Sequence, residues 1–301
     1  MGAPTRTSLT PPPLASLPVE REQLEYSSRS LVFAKDGPRI LRAWGTPERP
    51  WVVAVEPRGG RWAIEAWGAG PVAARAAVRA LFSLDHALSE FYRLTRREPT
   101  LAGTERRFRG LRIPRDATVY ESLLYAIIGQ QLSVRAALAI QRRVFERTAS
   151  VLEAGGVEVP SVPAPAALRR LGADGLRASG LSGAKCRAIL ELTSPEAREV
   201  TRDPRLATDP LDRALERLVE MRGVGRWTAE NCLLRGTGRT DVFVAGDLGI
   251  RVALEENGVV PRSAPEEVAR AWAERWYPGW GSYATLYLWR RLVADRRVAA
   301  G

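Results

Sequence analysis

The sequence has few of the side chains that build metal sites and thiol-based active sites. Its 301 residues include two cysteines and one histidine. Cys186 and Cys232 are far apart and show no CxxC spacing, which excludes a four-cysteine iron–sulfur cluster and argues strongly against structural zinc. His86 lies beside Asp85 with no nucleophile motif nearby, so a surface or capping role is favoured over a place in a catalytic triad. We therefore expect no catalytic metal and no redox cofactor.

Long apolar runs are also missing. No run reaches the ~18 residues that a membrane-spanning helix requires. The N-terminal segment also lacks the apolar stretch of a signal peptide. The sequence therefore predicts a cytoplasmic protein that does not associate with a membrane.

Lysine is nearly absent, although the chain is strongly basic. Lys35 and Lys185 are its two lysines, and the other basic side chains are arginines. The net charge is +11, with 45 basic and 34 acidic residues, which favours a polyanionic partner. Because arginine pairs with phosphate through two parallel hydrogen bonds, we expect that partner to be a nucleic acid.

Residue patterns divide the chain into three parts. Residues 1–18 are rich in proline, serine and threonine, which predicts a disordered tail. Residues 19–84 contain four short runs of β-forming residues separated by glycine and proline turns, and then a helical pattern over about 71–82. Over residues 85–301 the strand signal disappears and helical periodicity takes its place. The sequence thus predicts an α+β fold, mainly α, with an N-terminal antiparallel β domain followed by an all-α core.

Glycine and proline divide this predicted core into short helices. Ten helical segments are expected, at residues 85–95, 118–127, 133–148, 165–171, 185–193, 211–221, 227–236, 247–257, 265–275 and 282–297. Ser133 precedes one of them as a candidate N-cap, and Asp212 falls in the first turn of another.

One phrase, residues 222–229, predicts a tight hairpin between two of these helices. Gly223 and Gly225 allow positive φ angles and a bare backbone, so main-chain N–H groups can touch a ligand directly. These groups open the helix that begins near Trp227, and a helix N-terminus binds anions. Residues 211–236 are therefore a candidate helix–hairpin–helix clamp for nucleic-acid phosphate. The alternative is a glycine C-cap between two packed helices.

A lone acid, Asp247, follows twenty positions after Trp227. An extended apolar piece leads into it, and a new amphipathic helix starts there. Asp247 is thus a candidate N-cap, a role that stabilises a helix by about 1 kcal/mol. The helix dipole also keeps such a carboxylate anionic and fixes its orientation. A carboxylate held in this way can stabilise a developing cation or orient a water, and the two roles are compatible.

Several phrases in the same order resemble the helix–hairpin–helix DNA glycosylase superfamily, and most closely the 3-methyladenine DNA glycosylase II family. They are the hairpin 223–229 with Asp247, and residues 81–85, 110–114, 126–134, 241–243, 280–284 and 288–289. The resemblance implies a β-type N-terminal domain and a glycosylase core of two helical subdomains. It also implies base excision repair of alkylation damage in double-stranded DNA by a monomeric, nucleoid-associated bacterial enzyme. An alkylated base such as 3-methyladenine or 7-methylguanine is flipped out and its N-glycosidic bond is hydrolysed, which leaves an abasic site.

The resemblance implies catalytic roles at the matching positions. Asp247 matches the catalytic aspartate, which stabilises the oxocarbenium-like sugar and helps water attack. Trp227, Tyr283 and Trp289 match aromatic positions of the base pocket, and core packing is the alternative for each. Superfamily members that also cut the strand carry a lysine nucleophile where Trp227 stands. A monofunctional hydrolase without lyase activity is therefore expected.

The other matching residues would contact DNA. The hairpin would hold phosphate, together with a monovalent cation on its carbonyls, and its residues are Gly223, Val224, Gly225 and Arg226. Gln131 and Leu132 match the loop that pushes a wedge residue into the gap left by the flipped base, with Gln131 at the wedge position. For Leu132 the alternative is a buried residue at the start of a helix.

The sequence departs from the family around the pocket. Relatives place an acid before the catalytic aspartate and a tyrosine after it, where this chain has Gly246 and Leu248. Asn231 and Arg290 stand where further aromatic residues are expected. These changes predict a less aromatic and roomier pocket, and they leave the lesion open. A deaminated or oxidised base is one alternative substrate, and a non-catalytic DNA-binding protein that uses the hairpin alone is another alternative.

Overall fold

The computed structural model describes residues 2–13, 15 and 31–298, with side chains as far as residue 294. Within these residues no single helix is long and apolar enough to cross a membrane. Helices Val119–Gly129 and Val134–Thr148 reach that composition only as a pair bent by 120°, and the first of them is buried in the core.

Five antiparallel strands form the N-terminal sheet. They are β1 (Thr5–Leu9), β2 (Phe33–Asp36), β3 (Arg39–Thr46), β4 (Arg49–Arg58) and β5 (Arg61–Trp67), and their order in the sheet is β1-β5-β4-β3-β2. Gly59 and Gly60, with φ angles of 55° and 76°, make the tight turn between β4 and β5. The predicted antiparallel meander is confirmed for β2 to β5.

Strand β1 shows that the predicted disordered tail over residues 1–18 is wrong at this point. Thr5 lies opposite Ala66 and Leu9 opposite Trp62, so β1 completes the sheet along the edge of β5. Leu9 is buried beneath the sheet. The sequence of this short segment, considered alone, is typical of a loop. It forms a strand because it pairs with the backbone of β5, more than fifty residues away. Residues 1, 14 and 16–18 of the predicted tail lie outside the described residues.

Helices make up most of the remaining described chain, which confirms the predicted α+β fold, mainly α. They are α1 (Pro71–Leu81), α2 (Leu88–Thr95), α3 (Thr104–Arg107), α4 (Val119–Gly129), α5 (Val134–Thr148), α6 (Pro165–Ala178), α7 (Gly183–Glu191), α8 (Pro195–Arg202), α9 (Arg205–Thr208), α10 (Leu211–Val219), α11 (Arg226–Cys232), α12 (Leu248–Glu256), α13 (Glu266–Trp276) and α14 (Gly281–Val298). A π-helical turn, Leu233–Thr237, extends α11. The sequence analysis misses α3, α8 and α9, which are short and polar.

Both faces of the N-terminal sheet are buried. Side chains on one face, such as Ile40 and Ile64, pack against α1. The other face is covered by a second β-hairpin, β6 (Val151–Ala154) and β7 (Val157–Pro160). This hairpin lies between helices α5 and α6, so the prediction of an all-α region after residue 85 is wrong. Its sequence signal is the Gly155-Gly156 turn, whose two positive φ angles of 59° and 83° are typical of a two-residue β-hairpin.

A buried ion pair joins the sheet to the helices. Arg42 of β3 donates a hydrogen bond from Nη2 to Oε1 of Glu121 in α4 at 2.6 Å, and both side chains are 1% exposed. The guanidinium also lies over the rings of Phe33 and Trp44, 4.8 and 5.3 Å from their centroids. Because separating either charge from its partner would leave it uncompensated in the interior, the pair fixes the sheet against α4.

Helix α4 leads from this junction toward the other end of the helical region. Ten of its eleven residues are buried, so it packs on all sides. Thr118 caps its first turn by accepting from the Glu121 N–H at 3.1 Å. Beyond its last residue, Gly129, a short turn leads into α5, whose predicted N-cap Ser133 accepts from the Ala136 N–H.

Candidate active site

The predicted hairpin between two helices is present, and its glycines have different roles. Gly223 has a φ angle of +82°, and a Cβ there would lie 2.5 Å from the Cβ of Ala188, so both conformation and space require glycine. Gly225 has an ordinary extended conformation and is the N-cap of α11, so it does not use the positive φ angle that glycine allows. Val224 is buried and anchors the hairpin, while Arg226 is exposed.

Asp247 is the N-cap of α12, as predicted, and its carboxylate receives two further hydrogen bonds. Oδ1 accepts from the Ile250 N–H at 3.2 Å and from Nε1 of Trp289 at 2.9 Å. Oδ2 accepts from Nε1 of Trp227 at 3.1 Å. The structure therefore brings together three of the predicted site residues, which are 20 and 42 positions apart in the chain. Each carboxylate oxygen is oriented by an indole N–H.

The segment before Asp247 is fixed by helix α14. Val242 donates its N–H to Oγ of Ser282 at 3.1 Å, and Val244 donates to Oγ1 of Thr285 at 3.2 Å. Both hydroxyls are fully buried. Because Trp289 lies one turn further along the same helix, α14 sets the position of both the aspartate and one of its indole partners. The sequence analysis gave no role to Ser282 or Thr285, although Ser282 lies in the matching phrase 280–284.

The hydrogen-bond donors to Asp247 are neutral. A positive charge lies near one of the indoles, because Cζ of Arg235 is 5.7 Å from the ring centroid of Trp289, and Nη1 of Arg235 donates to the Pro114 carbonyl. One face of Trp289 therefore already faces a cation. Asp247 itself is half-exposed at the protein surface. Among the described residues no salt bridge reaches this carboxylate, so it is oriented without being neutralised and its charge is available to a positive group in a substrate.

Tyr283 does not line this site, contrary to the prediction. Its side chain is fully buried, and its hydroxyl lies 2.8 Å from Nδ1 of His86. Its ring packs against Phe91 and Trp280 with centroid distances of 5.5 and 5.4 Å. Tyr283 and Trp289 lie on the same helix but are six residues apart, so they face different directions. The alternative of core packing is therefore the one that the structure shows for Tyr283.

His86 is half-buried at this same contact, so the predicted surface or capping role is also wrong. Burial, together with the positive charges of Arg115 and then Arg112, lowers the pKa of His86 to about 4. The nearby Asp85 carboxylate and a hydrogen bond with the Gly238 backbone act in the opposite direction. The imidazole is therefore neutral at pH 7 and contributes to the core without bearing a charge.

The predicted wedge residues are exposed at the turn between α4 and α5. Gln131 has a φ angle of +55°, which is unusual for a residue other than glycine. Leu132 is 38% exposed and Val134 is 65% exposed. The alternative of a buried helix-start residue at Leu132 does not hold. This turn thus presents an amide and two apolar side chains on the protein surface.

Two polar residues near the hairpin were missed by the sequence analysis. Gln130 donates from Nε2 to the Gly223 carbonyl and to Oγ1 of Thr228, each at 2.9 Å. Lys185 donates from Nζ to the carbonyls of Ile128 and Gln130, at 2.8 and 2.7 Å. The rarity of lysine in this chain was the one signal that could have drawn attention to Lys185.

The residues offer little to a metal ion. Within the described residues no three His, Cys, Asp or Glu side chains are grouped as metal ligands. At the hairpin, the Gly223 carbonyl accepts from Gln130 and the Gly225 carbonyl accepts from the Ala229 N–H at 3.0 Å. These two oxygens are already engaged by protein donors, so the hairpin gives no independent support for a bound monovalent cation.

A separate cavity of about 1070 Å³ lies between the β3–β4 turn and the start of α8. Its lining includes Glu48, Arg115, Arg169 and Arg198, and it contains neither Asp247 nor the two indoles. Charges of both signs line it. The chemistry described above is therefore located around Asp247 and not in this cavity.

Comparisons with known proteins identify the superfamily to which the chain is similar. A family model described as HhH-GPD superfamily base excision DNA repair protein matches residues 124–278, just over half of the chain. The chain is 28% identical over 216 residues to the DNA-3-methyladenine glycosylase of Bacillus subtilis (strain 168), covering 70% of this chain and 69% of that protein. It is 32% identical over 180 residues to DNA-3-methyladenine glycosylase 2 of Escherichia coli (strain K12), covering 60% of each. Among solved structures, the 3-methyladenine DNA-glycosylase from Archaeoglobus fulgidus has a TM-score of 0.80 and 25% identity, covering 97% of this chain and 98% of that one.

Proposed function

This chain belongs to the HhH-GPD superfamily of base excision DNA repair proteins, and on that premise we propose that it is a monofunctional DNA N-glycosylase for alkylated bases. It binds double-stranded DNA and flips out a damaged base such as 3-methyladenine or 7-methylguanine. It hydrolyses the N-glycosidic bond and leaves an abasic site. The names of the similar proteins from B. subtilis, E. coli and A. fulgidus support the assignment of 3-methyladenine-type substrates.

The observation that carries this proposal is the Asp247 carboxylate between two indoles. When an N-glycosidic bond breaks, the sugar acquires oxocarbenium-like positive charge. Asp247 lies at a helix N-terminus and both of its oxygens are oriented, so it can stabilise that charge without reorganising. An alkylated purine is itself cationic, and the face of an indole attracts a cation by about 0.5–2 kcal/mol. The same arrangement therefore serves the leaving base and the sugar.

The absence of lyase activity is part of the proposal. A lyase needs an amine nucleophile at the sugar, and relatives that cut the strand carry a lysine where this chain has Trp227. The indole of Trp227 instead donates to Asp247. The Nζ atom of Lys185 is engaged by two main-chain carbonyls, and Lys35 lies in β2 of the N-terminal sheet. Neither lysine takes the place of the missing nucleophile.

We assign the DNA contacts to one surface. The exposed hairpin residues Gly223, Gly225 and Arg226 would hold the phosphate backbone, with Val224 as the buried support. Gln131, with Leu132 beside it, would fill the gap left by the flipped nucleotide. The monovalent cation at the hairpin, the monomeric state, and the cytoplasmic location near the nucleoid remain predictions from the resemblance and the composition.

The test is base release from defined duplexes by the purified protein, without added metal. Substrates carry 3-methyladenine or 7-methylguanine, and parallel duplexes carry hypoxanthine, uracil or 8-oxoguanine. Free base and strand breaks are measured before and after alkali. We expect release of the alkylated bases, with breaks that appear only after alkali. Asp247→Asn should abolish the release, whereas Asp212→Asn, the same charge change on the exposed first turn of α10, should not.

Other outcomes distinguish the alternatives. Release of deaminated or oxidised bases in preference to alkylated ones would support the assignment as a DNA glycosylase and contradict the assignment of alkylated bases as its substrates. Breaks that form before alkali would contradict the monofunctional assignment. Tight binding of duplex DNA with no base release from any substrate would favour the non-catalytic DNA-binding alternative.

A further inference from the structure

We infer that Lys185 is a positioning residue for base flipping. Acting through Gln130, it holds the wedge loop, residues 129–133, against the hairpin so that Gln131 is presented to DNA in one fixed geometry. This inference rests on the proposed function. It concerns how the loop is held, and it assigns no contact between Lys185 and the substrate.

The first step is the contact between Lys185 and the end of α4. The ammonium donates to the carbonyls of Ile128 and Gln130, which lie in the last turn of the helix and at its C-cap. Carbonyls at a helix C-terminus lack partners within the helix and carry its negative dipole end, so a cation there is doubly favourable. Lys185 is half-buried at this contact, and this burial lowers its pKa. Lys185 thus ties α7 to the start of the wedge loop.

The second step is the contact between the loop and the hairpin. The Gln130 side chain donates to the Gly223 carbonyl and to Oγ1 of Thr228, which belongs to α11. The main-chain carbonyl of Gln130 therefore accepts from Lys185, while its side chain donates to the hairpin and to α11. These contacts fix the wedge loop through both the backbone and the side chain of Gln130.

The third step is the contact between the hairpin and α7. A Cβ at Gly223 would lie 2.5 Å from the Cβ of Ala188, so the hairpin backbone lies directly against α7. Ala188 is three residues after Lys185 on that helix. The links from α7 to the loop, from the loop to the hairpin, and from the hairpin to α7 form a closed triangle. Such a triangle resists a shift of any one member alone.

Strain at the tip explains why the loop needs this support. Gln131 has a φ angle of +55°, a conformation that residues other than glycine adopt rarely and keep only when the surroundings impose it. Within the loop, the Leu132 N–H donates to the Gly129 carbonyl at 3.2 Å and closes the turn, while Leu132 and Val134 are 38% and 65% exposed. The contacts of Gln130, and through it of Lys185, add to this single hydrogen bond and fix the turn against the hairpin.

The inference predicts a defect in flipping and not in bond cleavage. The variant Lys185→Met keeps the side-chain length and removes the donors, Lys185→Arg keeps the charge, and Lys35→Met is the matched control in β2. Each is compared with the wild type in single-turnover release of 7-methylguanine from a duplex with cytosine opposite and from one with a mismatched thymine opposite. A mismatched base is easier to extrude, so its release depends less on the wedge.

We expect Lys185→Met to be about tenfold slower on the paired duplex and within about twofold of the wild type on the mismatched duplex. Lys185→Arg should regain most of the rate, and Lys35→Met should match the wild type on both. An equal loss on both duplexes would mean that Lys185 has only a general structural role, and the inference would be overturned. The absence of any loss would overturn it as well.

A second measurement separates this inference from the proposed function. A duplex with a stable abasic analogue beside 2-aminopurine reports insertion of the loop by its fluorescence and needs no base release. Lys185→Met should reduce the fluorescence change at saturating protein, while Lys35→Met should leave it intact. If the wild type released no alkylated base at all, the proposed function would fail. The fluorescence would then still decide whether Lys185 positions the loop.

Discussion

Glu121 and Asp247 are both carboxylates near the start of a helix, yet their surroundings are opposite. Glu121 is 1% exposed and is paired with the Arg42 guanidinium at 2.6 Å, at the junction of the sheet and the helices. Asp247 is half-exposed, and its side-chain partners are two neutral indoles and one backbone N–H. The first charge is compensated and the second is only oriented. The difference separates a carboxylate that holds the fold from one that can act on a substrate.

The largest effect that tests this contrast is expected at Asp247. Asp247→Asn should lower single-turnover base release on the order of a thousandfold, because the charge facing the developing cation is lost. It should change the free energy of unfolding by less than about 1 kcal/mol, because asparagine is as good an N-cap as aspartate. Rate measurements and urea unfolding of the same preparation check both parts. A stability loss as large as the activity loss would contradict the assignment.

The opposite pattern is expected at the ion pair. Arg42→Met should lower the free energy of unfolding by about 3 kcal/mol or more, because Glu121 is left as a buried charge without its partner. The folded protein should still release base at the wild-type rate at low temperature. In the double variant Arg42→Met/Glu121→Gln, much of the stability should return. Urea midpoints measure these changes, and a single variant as stable as the wild type would refute the interpretation.

A third kind of ionisable group, His86, is held neutral and should appear in the pH dependence of stability. Its pKa is about 4 in the folded protein and 6.5 in the unfolded chain. Above pH 6.5 the His86 imidazole is neutral in both the folded and the unfolded protein. As the pH falls from 6.5 toward 4, the unfolded state binds the proton first, so stability decreases by roughly 3 kcal/mol from this group. His86→Gln should flatten that part of the urea midpoint profile, and an unchanged slope would exclude His86 as the cause.

The smallest effect is expected from one indole N–H. Trp289→Phe keeps an aromatic ring over the cleft and removes the donor to Oδ1 of Asp247. We expect base release to slow by about tenfold, the effect of losing one orienting hydrogen bond to a charged group. Trp276→Phe, which removes an indole N–H on α13, serves as the control. Equal rates for both variants would show that Trp289 acts only through its ring.

Short sequence patterns predict much of this site. The roles of its other residues depend on contacts between distant parts of the chain. The N-cap role of Asp247 and the hairpin at Gly223 depend on a few adjacent residues, so their patterns in the sequence were sufficient. The choice between Tyr283 and Trp289 was not local. Both are aromatic residues of α14, and only the packing against His86 on one side and Asp247 on the other distinguishes them. The same holds for Lys185, whose acceptors lie 55 and 57 residues away.

The fold shows the same division. Strands β2 to β5 follow one another with short turns, and their pattern predicts them correctly. Strand β1 and the hairpin β6–β7 pair with or cover the sheet from distant parts of the chain. The Gly155-Gly156 turn is a local signal for the hairpin, but the sequence analysis predicted an all-α region there. Strand β1 has no local signal, because it forms only by pairing with the open edge of β5.

The hairpin over the second face of the sheet has a consequence for the order in which the protein folds. Leu41, Val52 and Trp67 of the sheet become buried against Ala154 and Val159. During synthesis the five strands leave the ribosome well before residues 151–160. This apolar face therefore remains exposed to water, or bound to a chaperone, until the hairpin has been synthesised. Folding of the first eighty residues is therefore completed only by a segment from the middle of the chain, and the nascent protein is exposed to aggregation during that interval.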